Sequence, residues 1–133
     1  MLIPPAVVEE LERPKSSMPV IPIAGFEFLR VEVPSDRHLV QTLTHELHQG
    51  EAEAIALALE ISADRIMIDE LAGRLVAARL GLVPVGVLGI LSQAKERGLV
   101  SAIRPLIDRL QNEINFYVSA KLRAQLLERA GEI

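Results

Sequence analysis

The sequence predicts an α/β domain in which helices flank a short parallel sheet. Two observations carry this: helical segments alternate with brief, β-branched apolar runs, and the apolar content is nearly all aliphatic. Half of the 133 residues are hydrophobic, only 3% are aromatic and Trp is absent. Strands separated by helical stretches require crossover connections, which make a parallel sheet with helices on both faces.

The elements follow in order. Pro4-Pro5 opens a short helix that closes before Pro14, because proline is pre-organised for the first helical position and ends a helix that precedes it. Residues 13–25 hold Pro14, Pro19, Pro22 and Gly25 and read as a loop. From Phe26 to Val33 apolar and polar residues alternate, the pattern of a half-buried strand. Pro34-Ser35-Asp36 caps a helix over 37–47. Residues 51–61, rich in Ala and Leu, are strongly helical. Arg65-Ile66-Met67-Ile68 is a short buried strand ending at Asp69-Glu70, and a helix over 71–80 follows, stopped by Gly81. Val83-Pro84-Val85 is a short strand, with helices over 88–97, 102–112 and 119–130, and Phe116-Tyr117-Val118 a last candidate strand. With no linker, repeat or low-complexity tract, residues 1–133 read as a single domain.

Composition excludes several functions. With no cysteine, disulfides, thiolate metal sites and cysteine nucleophiles are ruled out. A formal net charge of −4 argues against a generic nucleic-acid coat protein. The longest apolar run, 80–91, is broken by Pro84 and three glycines, so neither a membrane span nor a signal peptide is expected, and the protein reads as cytoplasmic. No P-loop, dinucleotide-binding glycine pattern or nucleophile elbow occurs.

The chemistry rests on acids at element boundaries. Asp69 and Glu70 stand where a strand should end, the usual ligand position in an open parallel sheet; the structural alternative is Asp69 as an N-cap. Glu51 and Glu53 open a helix, where its dipole favours carboxylates. Successive helical residues turn about 100°, so these two diverge by about 200° and at most one can join Asp69; Glu51 is preferred. Glu9 and Glu10 supply a third acidic position. Such separated acids have the pattern of a hard-cation site, and Mg²⁺ needs only one or two direct carboxylates. His45-Glu46-Leu47-His48 does not fit the zinc-protease motif, which needs histidines four apart, and reads as a polar helix end.

Taken together, Gly50-Glu51-Ala52-Glu53-Ala54-Ile55-Ala56-Leu57-Ala58, Ile66-Met67-Ile68-Asp69-Glu70, Gly73-Arg74 and the run from Gly81 to Gly89 with Ala94-Lys95 and Gly98-Leu99 resemble the PIN-like nuclease family, in a bacterial and archaeal branch related to VapC-type toxins. The opening Ile3 to Leu11 resembles that branch's first helix. The resemblance implies a three-layer α/β/α fold and a ribonuclease in which carboxylates bind Mg²⁺ or Mn²⁺. By position it implies Glu10, Glu51 and Asp69 as metal ligands, with Glu70 a further catalytic candidate where similar proteins read Asp-Asp. Arg74 and Lys95 match basic positions that could meet a phosphate, or could instead pair with neighbouring acids. RNA, a cognate antitoxin and a homodimer or higher oligomer are the implied partners.

One departure is large. Members of the family begin with a central strand bearing an Asp, whereas this chain is expected to open on a helix, with that strand missing. A gap of this kind invites pairing with another chain, and a catalytically degenerate dimerisation or antitoxin-binding module is the alternative function. The acidic chain is expected to bind RNA weakly without metal.

Overall fold

The computed structural model describes residues 1–13, 20 and 22–132. The expected loop over 13–25 therefore lies partly outside the described residues. The chain forms two compact units, Met1–Val85 and Gly86–Ile133.

The first unit opens on a strand, β1 (Leu2–Ile3), paired in parallel with β2 (Arg30–Val31). The Arg30 and Glu32 N–H groups donate to Met1 and Ile3 carbonyls, both at 3.0 Å. This corrects the expectation that no strand precedes the first helix: two residues are too few to display alternation, and Pro4 ends the strand at once. β1 carries no acidic residue. β2 is also shorter than the eight residues expected. Phe28 and Val33 are 64% and 60% exposed, so the alternation there does not mark burial, and β1 supplies only two partners for pairing.

Helix α1 (Pro5–Glu12) has Pro5 in its first turn, where a missing N–H leaves nothing unsatisfied. A 3-10 turn (Ile23–Gly25) is held to it by the Ile23 N–H donating to Glu12 Oε1 at 3.2 Å. Helix α2 (Arg37–Leu43) is capped by Asp36, whose side chain accepts the Leu39 N–H at 3.0 Å. It ends four residues earlier than expected, as Thr44 turns its hydroxyl back onto the Gln41 carbonyl at 2.6 Å.

Helix α3 (Gln49–Glu60) is the centre of this unit, with Ala52, Ile55, Ala56, Leu57 and Ala58 all buried. Its small side chains allow close approach on several faces, and it packs against α1, α2 and β3 (Ile66–Met67). Helix α4 (Leu71–Arg79) follows and is stopped at Gly81, whose φ of +86° suits glycine and lets the Leu82 N–H donate back to the Ala77 carbonyl at 2.9 Å. Strand β4 (Pro84–Val85) then pairs in parallel with β3, with the Ile66 and Ile68 N–H groups donating to Val83 and Val85 carbonyls. The expected parallel pairing is thus present as two separate two-stranded sheets. A core of Val40, Leu43, Ile55, Ile66, Ile68 and Val76, among others, fills this unit.

The second unit contains helices α5 (Val87–Glu96), α6 (Arg104–Glu113) and α7 (Ala120–Arg129) around Ile103, Ile107, Val118 and Leu127. The candidate strand at 116–118 is not one; the segment has no regular secondary structure and buries Val118. A left-handed turn at Gly131 (φ +75°) delivers Glu132 to the start of α6, where its carboxylate accepts the Ile103 and Arg104 N–H groups at 2.9 and 3.1 Å. Among the described residues, no helix is long and apolar enough to cross a membrane.

Candidate metal centre

Three side chains of the first unit converge. His48 is the N-cap of α3, Glu51 lies in that helix's first turn, and Glu70 is the N-cap of α4. One ligand atom from each lies within 4.8 Å of the others. Glu70 makes no capping hydrogen bond to its own helix, and its carboxylate is one of the three groups of this cluster.

Glu51 is the inner member. Its Oε1 accepts the His48 backbone N–H at 3.3 Å. Its Oε2 is fully buried and has no hydrogen-bond partner. The absence of a side chain at Gly73 makes room for that oxygen: a Cβ there would come within 2.7 Å of it and collide with Ile68 Cδ1. Burial pushes the Glu51 carboxyl above its ordinary range, and repulsion from Glu70 and Glu10 adds to the rise. The His48 backbone hydrogen bond and ring oppose it.

Glu10 approaches from α1. Its carboxyl group rests where a side chain at Gly50 would stand, with Oε2 3.3 Å from that position. Four acidic or imidazole groups, on α1, α3 and α4, thus surround the start of α3. An orphaned carboxylate oxygen beside a second carboxylate and an imidazole is a donor set for a divalent cation. Donors bound to one such ion at about 2.1 Å lie at most about 4.2 Å apart, so atoms within 4.8 Å require only small side-chain adjustments.

The other expected site residues fall as follows. Asp69 is exposed and is not one of the three convergent groups; Glu70, equally exposed, is the acid of this pair that lies beside His48 and Glu51. Arg74, half-buried on α4, directs Nη1 to the Ile68 carbonyl at 3.5 Å. Lys95 belongs to the second unit, where its Nζ donates to the Ser101 carbonyl at 2.7 Å and meets Glu132 at 3.4 Å. Glu53 faces away from Glu51 and is buried: it accepts the Ala6 N–H at 3.1 Å and Gln49 Nε2 at 2.9 Å, holding α1 to α3. The sequence reads His48 as part of a polar helix end, whereas the structure sets it beside Glu51 and Glu70. The available signal is its spacing of three residues from Glu51, one helical turn, rather than any relation to His45.

The PIN domain family profile matches residues 1–132. No curated protein and no solved structure matches the chain. A profile match over nearly the whole length, on an α/β fold with short parallel strand pairs, shows that the chain belongs to the PIN domain family.

Proposed function

We propose that this chain is a metal-dependent ribonuclease of toxin–antitoxin type, hydrolysing RNA phosphodiesters at the centre formed by His48, Glu51 and Glu70, with Mg²⁺ or Mn²⁺ as cofactor. The observation that carries this reading is the buried Glu51 Oε2 with no hydrogen-bond partner. An unpaired buried carboxylate oxygen costs about 1–3 kcal/mol, and a bound cation removes that cost. Family membership supports a nuclease-type fold.

In this reading Glu51 and Glu70 are the direct carboxylate ligands, and Glu10, against Gly50, adds negative charge at the edge of the site. When bound, a divalent cation supplies Lewis-acid stabilisation and lowers the pKa of water. Arg74, one turn into α4 from Glu70, is the cation nearest in sequence for a substrate phosphate, and its planar guanidinium suits bidentate contact. With a net charge of −4, the chain depends on cation-mediated contact for RNA affinity.

The test is cleavage of single-stranded RNA by purified protein with Mg²⁺, with Mn²⁺ and with EDTA, alongside Glu51→Gln and Asp69→Asn. Cleavage lost in EDTA and reduced at least a hundredfold by Glu51→Gln supports the reading; activity unchanged by both refutes it. A second reading, a module that binds an antitoxin or a second copy without catalysis, is favoured by Leu71 and Leu75, one turn apart on α4 and 71% and 61% exposed. Robust metal-dependent turnover removes it.

A further inference from the structure

The geometry points to His48 as a direct metal ligand that makes this centre prefer Mn²⁺ to Mg²⁺. This inference rests on the cation-site reading above and adds to it the identity of one ligand and of the preferred ion.

Four features place the imidazole in the site. A ring nitrogen lies within 4.8 Å of carboxylate oxygens from both Glu51 and Glu70. The His48 backbone N–H donates to Glu51 Oε1 at 3.3 Å, which ties the main chain of this residue to the inner carboxylate. The neighbouring residues are committed elsewhere: Glu46 pairs with Arg79 at 2.8 Å, and Gln49 donates to Glu53 at 2.9 Å. At the N-cap, the His48 backbone is extended (φ −70°, ψ 161°), so the residue stands outside the helix proper.

The consequence for selectivity follows from ligand chemistry. Mg²⁺ is small and hard, prefers oxygen donors in near-ideal octahedral geometry, and gives up its water reluctantly. Imidazole suits first-row transition ions, whereas carboxylates suit Mg²⁺ and Mn²⁺ alike. Two carboxylates alone would discriminate little between these ions; adding one nitrogen tilts the site towards Mn²⁺. Mn²⁺ is also the weakest binder of the divalent first-row series, so Co²⁺ and Zn²⁺ should bind at least as tightly.

The variant that isolates the effect is His48→Asn. Asparagine is a favoured N-cap, and His48 is exposed, so the substitution removes the imidazole while preserving the helix start. Binding of MnCl₂ and of MgCl₂ is measured by calorimetry in the absence of RNA, with Mn²⁺ electron paramagnetic resonance as an independent readout and circular dichroism as the check on folding. The wild-type chain should bind Mn²⁺ at least tenfold more tightly than Mg²⁺. His48→Asn should weaken Mn²⁺ tenfold or more and Mg²⁺ less than threefold, and should remove nitrogen hyperfine coupling from the Mn²⁺ signal. Glu51→Gln should weaken both ions. If wild type and His48→Asn bind both ions with the same ratio, His48 is not a ligand and the inference fails while the cation site stands. If the wild-type chain binds neither ion, both fail.

Discussion

Replacing Glu53 with alanine should destabilise the first unit substantially, although Glu53 takes no part in the candidate centre. Glu53 is 5% exposed, and its carboxylate accepts two hydrogen bonds, one from the buried Ala6 N–H in the first turn of α1. That N–H has no partner within its own helix, and losing its only acceptor costs about 1–3 kcal/mol. The bond from Gln49 adds little, since that amide is exposed and rehydrates. Arg37, at 4.0 Å with its side chain 58% exposed, adds close to nothing. Relief of the carboxylate's own desolvation offsets part of the loss, leaving about 2 kcal/mol. For a chain of this size that corresponds to a melting temperature lower by roughly 6–10 °C. Glu53→Gln keeps a carbonyl oxygen for the Ala6 N–H and should lose less than half as much. Urea denaturation and thermal melts of the three proteins measure this. A Glu53→Ala protein within 0.5 kcal/mol of wild type would show that Glu53 does not hold α1 to α3.

Three further outcomes follow from the same geometry. Gly73→Ala places a methyl group against Glu51 Oε2 and Ile68, and should weaken Mn²⁺ binding at least tenfold in calorimetry while costing about 1–3 kcal/mol of stability from overpacking. Glu51 has its carboxyl pKa raised in the fold; the native state therefore holds its proton longer than the unfolded chain, and this residue's contribution to stability declines as pH rises above its ordinary value of 4.5. Metal-free Glu51→Gln should accordingly melt higher than metal-free wild type at pH 7, and a lower melting point would contradict the burial argument. Glu132 shows the opposite sign. The N–H groups of Ile103 and Arg104 hold its pKa below 4.5, so its contribution is present above that value and lost as pH falls below it, and the acid-side slope of stability should be shallower in Glu132→Gln.

Much of the helical framework is legible in the sequence, because proline, glycine and apolar periodicity act locally. The helix expected over 71–80 runs from Leu71 to Arg79, and the one over 88–97 from Val87 to Glu96. Strand lengths are not legible in the same way. Alternation over Phe26–Val33 describes one chain, whereas a ladder is limited by its partner, here the two residues before Pro4. In the candidate site, the acidic positions at element boundaries are readable as a class: Glu10, Glu51 and Glu70 all approach the start of α3. Which of two adjacent acids approaches His48 and Glu51 is not, since that depends on the torsions with which the chain leaves β3, and Glu70 is the one that does so. The divergence of Glu51 from Glu53 follows from helix geometry alone, and the structure gives the two carboxylates separate roles. For Lys95 the sequence leaves a phosphate contact and an ion pair with an acid both open; its partner Glu132 lies 37 residues further along, beyond the reach of any local pattern.

The most direct test of the account is the anomalous difference map of a crystal soaked in MnCl₂ and measured near the manganese absorption edge. The account predicts one strong peak at the start of α3, about 2.0–2.4 Å from carboxylate oxygens of both Glu51 and Glu70, with a ring nitrogen of His48 at a similar distance. A fully soaked crystal with no peak there, or with its strongest peak at another acidic group such as Glu9 or Glu96, would contradict it.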